Sequence, residues 1–544
     1  MDLDDYHPVV GSVSSSLEQT WSTGADVSAT RRWWFLTAGA AAVVVAAAIA
    51  LVGRPATVQA IAADAPEVAA FEAERRDASA PVREVTLTAV PATVRIGDTE
   101  VETWTFNQQL PGPEVRVAAG QVLRARVENR LPEPLTIHWH GVDLRADMDG
   151  VPDLTQPPIA PGEDFTYEFT VPDPGTFIYH SHVGMQLDRG LYGALIVDDP
   201  DEQAVVDREL TLVLDDWLDG IDTTPDEMLD QLRQGGAPHD MGDMGMGGDQ
   251  PHDMGAMGEM DMDDMDMPSG MGSTAASPLG PDAGDVDYPM YLINGQPPEA
   301  PQIVDVEPGE RLRLRLVNVG SDTAFRVAVA GTPLSVTHTD ARPVLPVEAD
   351  AVLLGMGERY DVLITVPGEG LVPVVADAEG KDGQTMLLLR AGPGELPPPD
   401  VRPAELAGRL LTYDDLQADP TVSLGDGVPD RTYRVRLTGD MASYEWGVEP
   451  NVPDGEAMTV REGERVRLIF DNQTMMFHPM HLHGQPVQIQ GANGPGPLKD
   501  NVIVGPMEQI TVDFIADNPG PWALHCHNIY HAEAGMQTVL QYVR

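Results

Sequence analysis

"APQIVDVEPGERLRLRLVNVG" occupies residues 300–320, and its pattern decides the architecture. A short apolar run leads to a glycine turn. A second run follows in which charged and aliphatic residues alternate, and it ends on asparagine. Period-two alternation sends successive side chains to opposite faces of a pleated strand, so the run reads as half-buried sheet. The same skeleton occurs in "EVRVAAGQVLRARVEN" (114–129) and in "EAMTVREGERVRLIFDNQ" (456–473). Three copies at domain-scale spacing form an internal repeat. Each predicts an antiparallel β-sandwich, and the chain reads as all-β.

Further alternating runs, "REVTLTAV" (83–90), "TVRIG" (93–97) and "DFTYEFTV" (164–171), place the first sandwich from residue 81. Domains are expected over 81–203, 204–398 and 399–544, the last boundary falling in "GPGELPPPDVRPAE" (392–405). A length of 544 residues suits three such units. Residues 1–80 read as a tail. Within it, "WWFLTAGAAAVVVAAAIALVG" (33–53) carries no charge and is long enough to span hydrocarbon. Arg31 and Arg32 precede it, as expected for a segment oriented by basic flanks. "TRRWWFL" (30–36) resembles a twin-arginine export signal, and "VQAIAADA" (58–65) offers small residues for cleavage around Ala60 to Ala65. The protein is therefore expected outside the cytoplasm, secreted or membrane-anchored. The rest of the tail reads as unstructured, and His7 has no assigned role.

The chain has 86 acidic and 33 basic residues, a net charge of −53. Such a surface repels nucleic acid and anionic lipid, which excludes polyanion-binding functions. Membrane contact is then expected only through the N-terminal segment, and a monomer is the expected state. Solubility explains the charge better than cation steering does.

Between residues 236 and 283 lies an insert of another character. Its centre reads "HDMGDMGMGGDQPHDMGAMGEMDMDDMDMPSGMG" (239–272). Ten of the chain's 24 methionines fall there: Met241, Met244, Met246, Met254, Met257, Met260, Met262, Met265, Met267 and Met271, with His239 and His252. Neither helical nor strand periodicity is present, so a flexible loop is expected. Thioethers are soft donors that select Cu(I), and the insert reads as a Cu(I) capture segment.

Ten of the 14 histidines fall into four clusters. These are His138 and His140 in "HWHG"; His180 and His182 in "HSH"; His478, His481 and His483 in "HPMHLHG"; and His525, His527 and His531 in "HCHNIYHAEAGM" (525–536). His-x-His on a strand projects two imidazoles to one face. Four such pairs give eight imidazoles, enough for a three-metal cluster. His478, Cys526, His531 and Met536 remain, and they match the trigonal His₂Cys site of blue copper with a weak axial methionine. Cys526 is the sole cysteine, so it has no disulfide partner within the chain. Structural zinc is a poorer fit, since it favours closed sites of about four ligands. His338, in "SVTHTDARPV" (335–344), reads as structural.

With these clusters, "QLPGPEVRV" (109–117), "RGLYGALIVDDP" (189–200), "LINGQPP" (292–298), "NQTMMFHPMHLHG" (472–484) and "IYHAEAGM" (529–536), the chain from about residue 85 resembles the three-domain multicopper oxidases, closest to their bacterial copper-resistance branch. The resemblance implies cupredoxin-like Greek-key sandwiches. It implies four copper ions: type 1 on His478, Cys526, His531 and axial Met536, type 2 on His138 and His481, and a type 3 pair on His140, His180, His182, His483, His525 and His527. It gives Asp149, in "ADMDGVP", the position of an acid that helps protonate reduced oxygen. Some relatives carry a carboxylate directly after the last type 1 histidine. Here Ala532 stands there and Glu533 follows, so Glu533 becomes a candidate for substrate or proton handling.

The implied reaction is one-electron oxidation of a donor coupled to four-electron reduction of O2 to water, with the middle domain a spacer. Cu(I) is the donor favoured by the methionine insert. Phenols, Fe(II) and Mn(II) are the alternatives within this class. A copper-binding electron-transfer protein is the alternative outside it, and the eight paired histidines speak against it.

Overall fold

The computed structural model describes residues 59–202, 206–235, 277–453, 455–491 and 494–544. The charge-free segment 33–53, His7 and every residue assigned to Cu(I) capture between His239 and Met271 lie outside the described residues. Among the described residues no helix is long and apolar enough to cross a membrane.

The three repeats explain the fold. In each, the short first strand belongs to one sheet and the alternating second strand to the other. Val115–Ala118, Ile303–Asp305 and Met458–Val460 pair in parallel with Tyr192–Asp198, Gln384–Arg390 and Gln537–Tyr542. Val122–Asn129, Arg311–Asn318 and Arg465–Asn472 pair in parallel with Val82–Ile96, Arg208–Trp217 and Arg431–Asp440. The turn between them therefore carries the chain from sheet to sheet. Gly120, Gly309 and Gly463 occupy it with φ of 80°, 81° and 82°, a left-handed conformation that a Cβ disfavours. Two four-stranded sheets make the first sandwich, and a six- and a five-stranded sheet make each of the others.

The closing asparagine does the same work in every copy. Asn129, Asn318 and Asn472 are buried. Each Nδ2 donates to two or three carbonyl oxygens across the sandwich edge: Glu133 and Ile159; Thr323 and Leu354; Met476, Val504 and Gly505. Each Oδ1 accepts the N–H two residues on, from Leu131, Gly320 and Thr474. Buried backbone groups left unpaired are costly, so one amide satisfies several of them at each corner.

Two departures from the sequence reading have physical causes. Residues 60–76 are not a loose tail. Ile61 donates to Tyr542 O, and a helix, Pro66–Arg75, lies across the first and third domains. Glu67 pairs with Arg544, Arg75 with Asp143, and buried Glu72 accepts from Thr170. Ile61, Ala63 and Ala65 are buried, so their small apolar character serves packing. Two of the alternating arginines of the middle copy are not exposed either. Arg313 and Arg315 are buried against Glu209, and Arg315 also bonds Asp361 and Thr176. Thr176 belongs to the first sandwich, so the outer face of that strand is covered by its neighbour.

Candidate metal centre

Strand geometry sorts the histidines. Ile137–His140 and Gly175–Ser181 are antiparallel neighbours with His138 opposite His180. His478–Leu482 and Pro521–Cys526 are antiparallel neighbours with His481 opposite His525 and Met480 opposite Cys526. Adjacent strand residues face opposite ways. Cys526 therefore points away from His525 and His527, and His478, three before His481, points to the Cys526 side.

The rings converge as this parity demands. Donor atoms lie within 4.8 Å of one another in the groups His140, His180, His527; His182, His483, His525; His138, His140, His481; and His478, Cys526, His531. The first three groups form one cluster between the first and third domains. In the fourth, Cys526 Sγ is 3.8 Å from both His478 Nδ1 and His531 Nδ1, which are 3.2 Å apart. Met536 is fully buried, and its backbone brackets the group by accepting from Cys526 N and donating to His531 O.

Eight of the ten rings are held from behind. His138, His180, His481 and His525 use Nδ1 against the carbonyls of Asp149, Ser181, Asp500 and Cys526 at 2.8–2.9 Å. His483 Nδ1 is 2.9 Å from Asp149 Oδ2. These bonds leave Nε2 turned inward. His140 is reversed: Nε2 bonds Asp500 Oδ1 at 3.0 Å and Nδ1 faces His527. His478 and His531 likewise present Nδ1, because Thr474 Oγ1 and Asp285 Oδ2 hold their Nε2 atoms at 2.8 Å. Such outer contacts fix ring orientation and tautomer for metal ligation.

Charge follows burial. Burial, reinforced by repulsion between neighbouring imidazoles, holds His140, His182, His478, His481, His483 and His527 well below the ordinary histidine range. The same causes put His180 at about 3, and burial puts His525 at about 4. Neutral imidazole is the ligating form. At His531 burial acts the same way, but the Asp285 carboxylate outweighs it and lifts the ring to about 10.

The donor set fits copper. His180 Nε2 and His182 Nε2 are buried with no hydrogen-bond partner, a costly state for polar atoms unless an ion completes them. A buried thiol beside two Nδ1 atoms supplies the soft donor that copper prefers and that zinc sites of three nitrogens do not need.

Of the other residues singled out, Asp149 lies inside the arrangement, with Oδ1 3.1 Å from His138 Nδ1. Glu533 does not converge with the histidines. It sits half-buried on the helix Ile529–Glu533, where burial raises its pKa, and its carbonyl accepts from Arg233. His338 bonds Thr337 Oγ1 in the middle sandwich and belongs to no converging group among the described residues. Asp285, Thr474 and Trp446 escaped the sequence reading. Trp446 packs over His531 with ring centres 4.0 Å apart. Asp500 escaped it too, although it follows Lys499, one of two lysines in the chain. Replacing Asp285 with alanine should weaken copper retention beside Cys526 by ~10–100-fold, read by titrating the visible thiolate band with a chelator.

Three sandwiches enclosing buried imidazoles and a buried thiol define a redox-metal protein. Comparison with known proteins gives the family. Models described as multicopper oxidase match residues 88–202, 271–383 and 429–543. The multicopper oxidase MmcO of Mycobacterium tuberculosis is 44% identical over 461 residues, covering 84% of this chain and 86% of that protein. The copper resistance protein A homolog of Pseudomonas syringae pv. tomato is 28% identical over 552 residues, covering 81% and 90%. A solved multi-copper oxidase from Pseudomonas thermotolerans superposes with a TM-score of 0.62 at 25% identity, covering 85% of this chain and all of that one. The chain belongs to the multicopper oxidase family, and it is an oxidoreductase whose cofactor is copper.

Proposed function

We propose that the protein is an exported cuprous oxidase that couples oxidation of Cu(I) to reduction of O2 to water. Four ions are assigned: type 1 at His478, Cys526, His531 and Met536; type 2 at His138 and His481; the type 3 pair at the remaining six cluster histidines. Bound copper supplies one-electron redox chemistry, and four ions match the four electrons that turn O2 into two waters.

The protein's own groups do the rest. The peptide from His525 through Cys526 to His527 joins the two sites covalently, because its side chains alternate between them. The Asp149 carboxylate accepts from His483 Nδ1 and lies 3.1 Å from His138 Nδ1, which bonds the Asp149 carbonyl, so a carboxyl stands at the cluster's edge to pass protons inward. Glu533 lies on the donor side, on the helix carrying His531, and is assigned to substrate handling.

One observation carries the choice of Cu(I): both ends of the methionine insert are rooted at the Cys526 site. On the entering side, Arg233 Nη2 bonds Glu533 O. On the returning side, Asp282 bridges Met476 and Asp285 bonds His531. Met475, beside that bridge, is exposed. A soft-donor segment fastened there holds its ions next to the electron entry point. Its deletion, residues 239–271, should lower kcat/KM for Cu(I) by about tenfold or more while changing that for a bulky phenol little. Equal losses on both donors would remove the capture role and favour the phenol-oxidase reading.

A further inference from the structure

Among the described residues the middle domain contributes none to the converging donor groups, yet it reaches the cluster. Arg359 begins the strand Arg359–Thr365 of the middle sandwich and is completely buried. Its Nη1 and Nη2 atoms bond Asp500 Oδ1 and Oδ2 at 2.7 and 2.6 Å. The guanidinium is itself fixed by Thr176 O from the first domain, at 3.1 Å, and by Gly357 O, at 2.9 Å. Asp500, in the third domain, then holds two histidines at once. Its Oδ1 bonds His140 Nε2 at 3.0 Å, and its carbonyl bonds His481 Nδ1 at 2.8 Å. All three domains thus meet at one arginine–aspartate pair directly behind the cluster.

We infer that Arg359 is a positioning residue for the copper cluster, acting through Asp500 to set the reversed orientation of His140 and the placement of His481. The inference rests on the multicopper reading above and extends it to the middle domain.

The physical reasons are three. A planar guanidinium meets both carboxylate oxygens and fixes the plane of the carboxylate, which a point-charge ammonium does not do. With that plane fixed, Oδ1 accepts a proton-bearing Nε2 from His140, which leaves Nδ1 as the only unprotonated nitrogen of that ring. Of the other cluster imidazoles, four back onto peptide carbonyls, and His483 backs onto a carboxylate, that of Asp149, through Nδ1 rather than Nε2. Finally, a buried carboxylate stripped of its partner is strongly disfavoured and reorganises. Lys499 does not replace the arginine, because its Nζ is taken by Asp340, Glu358 and Thr339, while Asp340 Oδ2 accepts from the backbone N–H of Asp500 and Asn501. These contacts place the Asp500 backbone and leave its carboxylate to Arg359.

The test uses the copper-loaded full-length protein and three variants, Arg359→Met, Arg359→Lys and Asp500→Asn. Copper per chain, the visible thiolate band and the paramagnetic type 2 signal are measured with O2 uptake. Arg359→Met should keep the thiolate band and anaerobic reduction at Cys526. It should lose at least half of the type 2 signal and tenfold or more of the O2 uptake. Arg359→Lys should fall between it and the parent. If Arg359→Met does not fold, Asp500→Asn carries the test and should show the same split, an intact thiolate band with a depleted cluster. A variant with parental copper content, unchanged type 2 signal and O2 uptake within twofold would overturn the inference. A parent protein without a type 2 signal would instead overturn the four-copper assignment.

Discussion

Replacing Cys526 with serine should abolish the intense visible band and cut O2 uptake with any donor by about a thousandfold or more, a barrier increase of ~4 kcal/mol. The thiol is buried, within 3.8 Å of two imidazole nitrogens, and directly bonded in sequence to a cluster histidine on each side. Serine preserves volume and removes both the soft ligand and the sulfur through which electrons leave. His525 and His527 point to the opposite side, toward the cluster of eight imidazoles, so the variant should retain about three coppers per chain. A variant that retained the blue band would show that another group binds the ion.

The second large effect is expected at Asp149. Its carboxylate touches His483 and His138, and its carbonyl holds His138 as well. Alanine removes two ring contacts and leaves the carbonyl. Loss of an outer contact costs ~10–100-fold in metal binding or activity, and loss of a positioned proton donor costs ~100–10,000-fold in rate. The two roles separate with Asp149→Asn. An amide still accepts from His483 Nδ1 but carries no transferable carboxyl proton. If the Asp149→Asn variant retained copper while O2 uptake fell at least a hundredfold and donor-driven reduction of the thiolate site stayed normal, proton delivery would be the dominant role. Normal O2 uptake would leave Asp149 as a ring support alone.

The three-sandwich fold was legible because the strand–glycine–strand–asparagine pattern encodes a local event, the switch between sheets, and the same buried amide repeats it at Asn129, Asn318 and Asn472. The converging histidines were legible because side-chain parity along a strand is fixed by backbone geometry. What stayed hidden depends on contacts between distant segments. Nothing near Asp285 announces that it meets His531, and nothing in "GERYDV" places Arg359 beside Asp500. The reading of the middle domain as a spacer counted ligands and had no access to the groups behind them, Asp285 at His531 and Arg359 at Asp500. Composition near the N-terminus did not disclose packing: Ala63 and Ala65, in the stretch read as offering a processing site, are buried just ahead of Pro66–Arg75. The methionine insert was visible as chemistry, but the sequence did not say that the segments flanking it, at Arg233 and Asp282, meet the third domain near Glu533 and Met476.

The cluster joins groups 387 residues apart, His140 and His527. At translation rates of ~5–20 residues per second, roughly twenty to eighty seconds separate their synthesis. During that interval the nascent first domain carries imidazoles whose third-domain partners do not yet exist, open to whatever metal is at hand. Correct loading must therefore await the finished polypeptide, and any chain broken off before its last histidines is a dead product however well its earlier domains have folded.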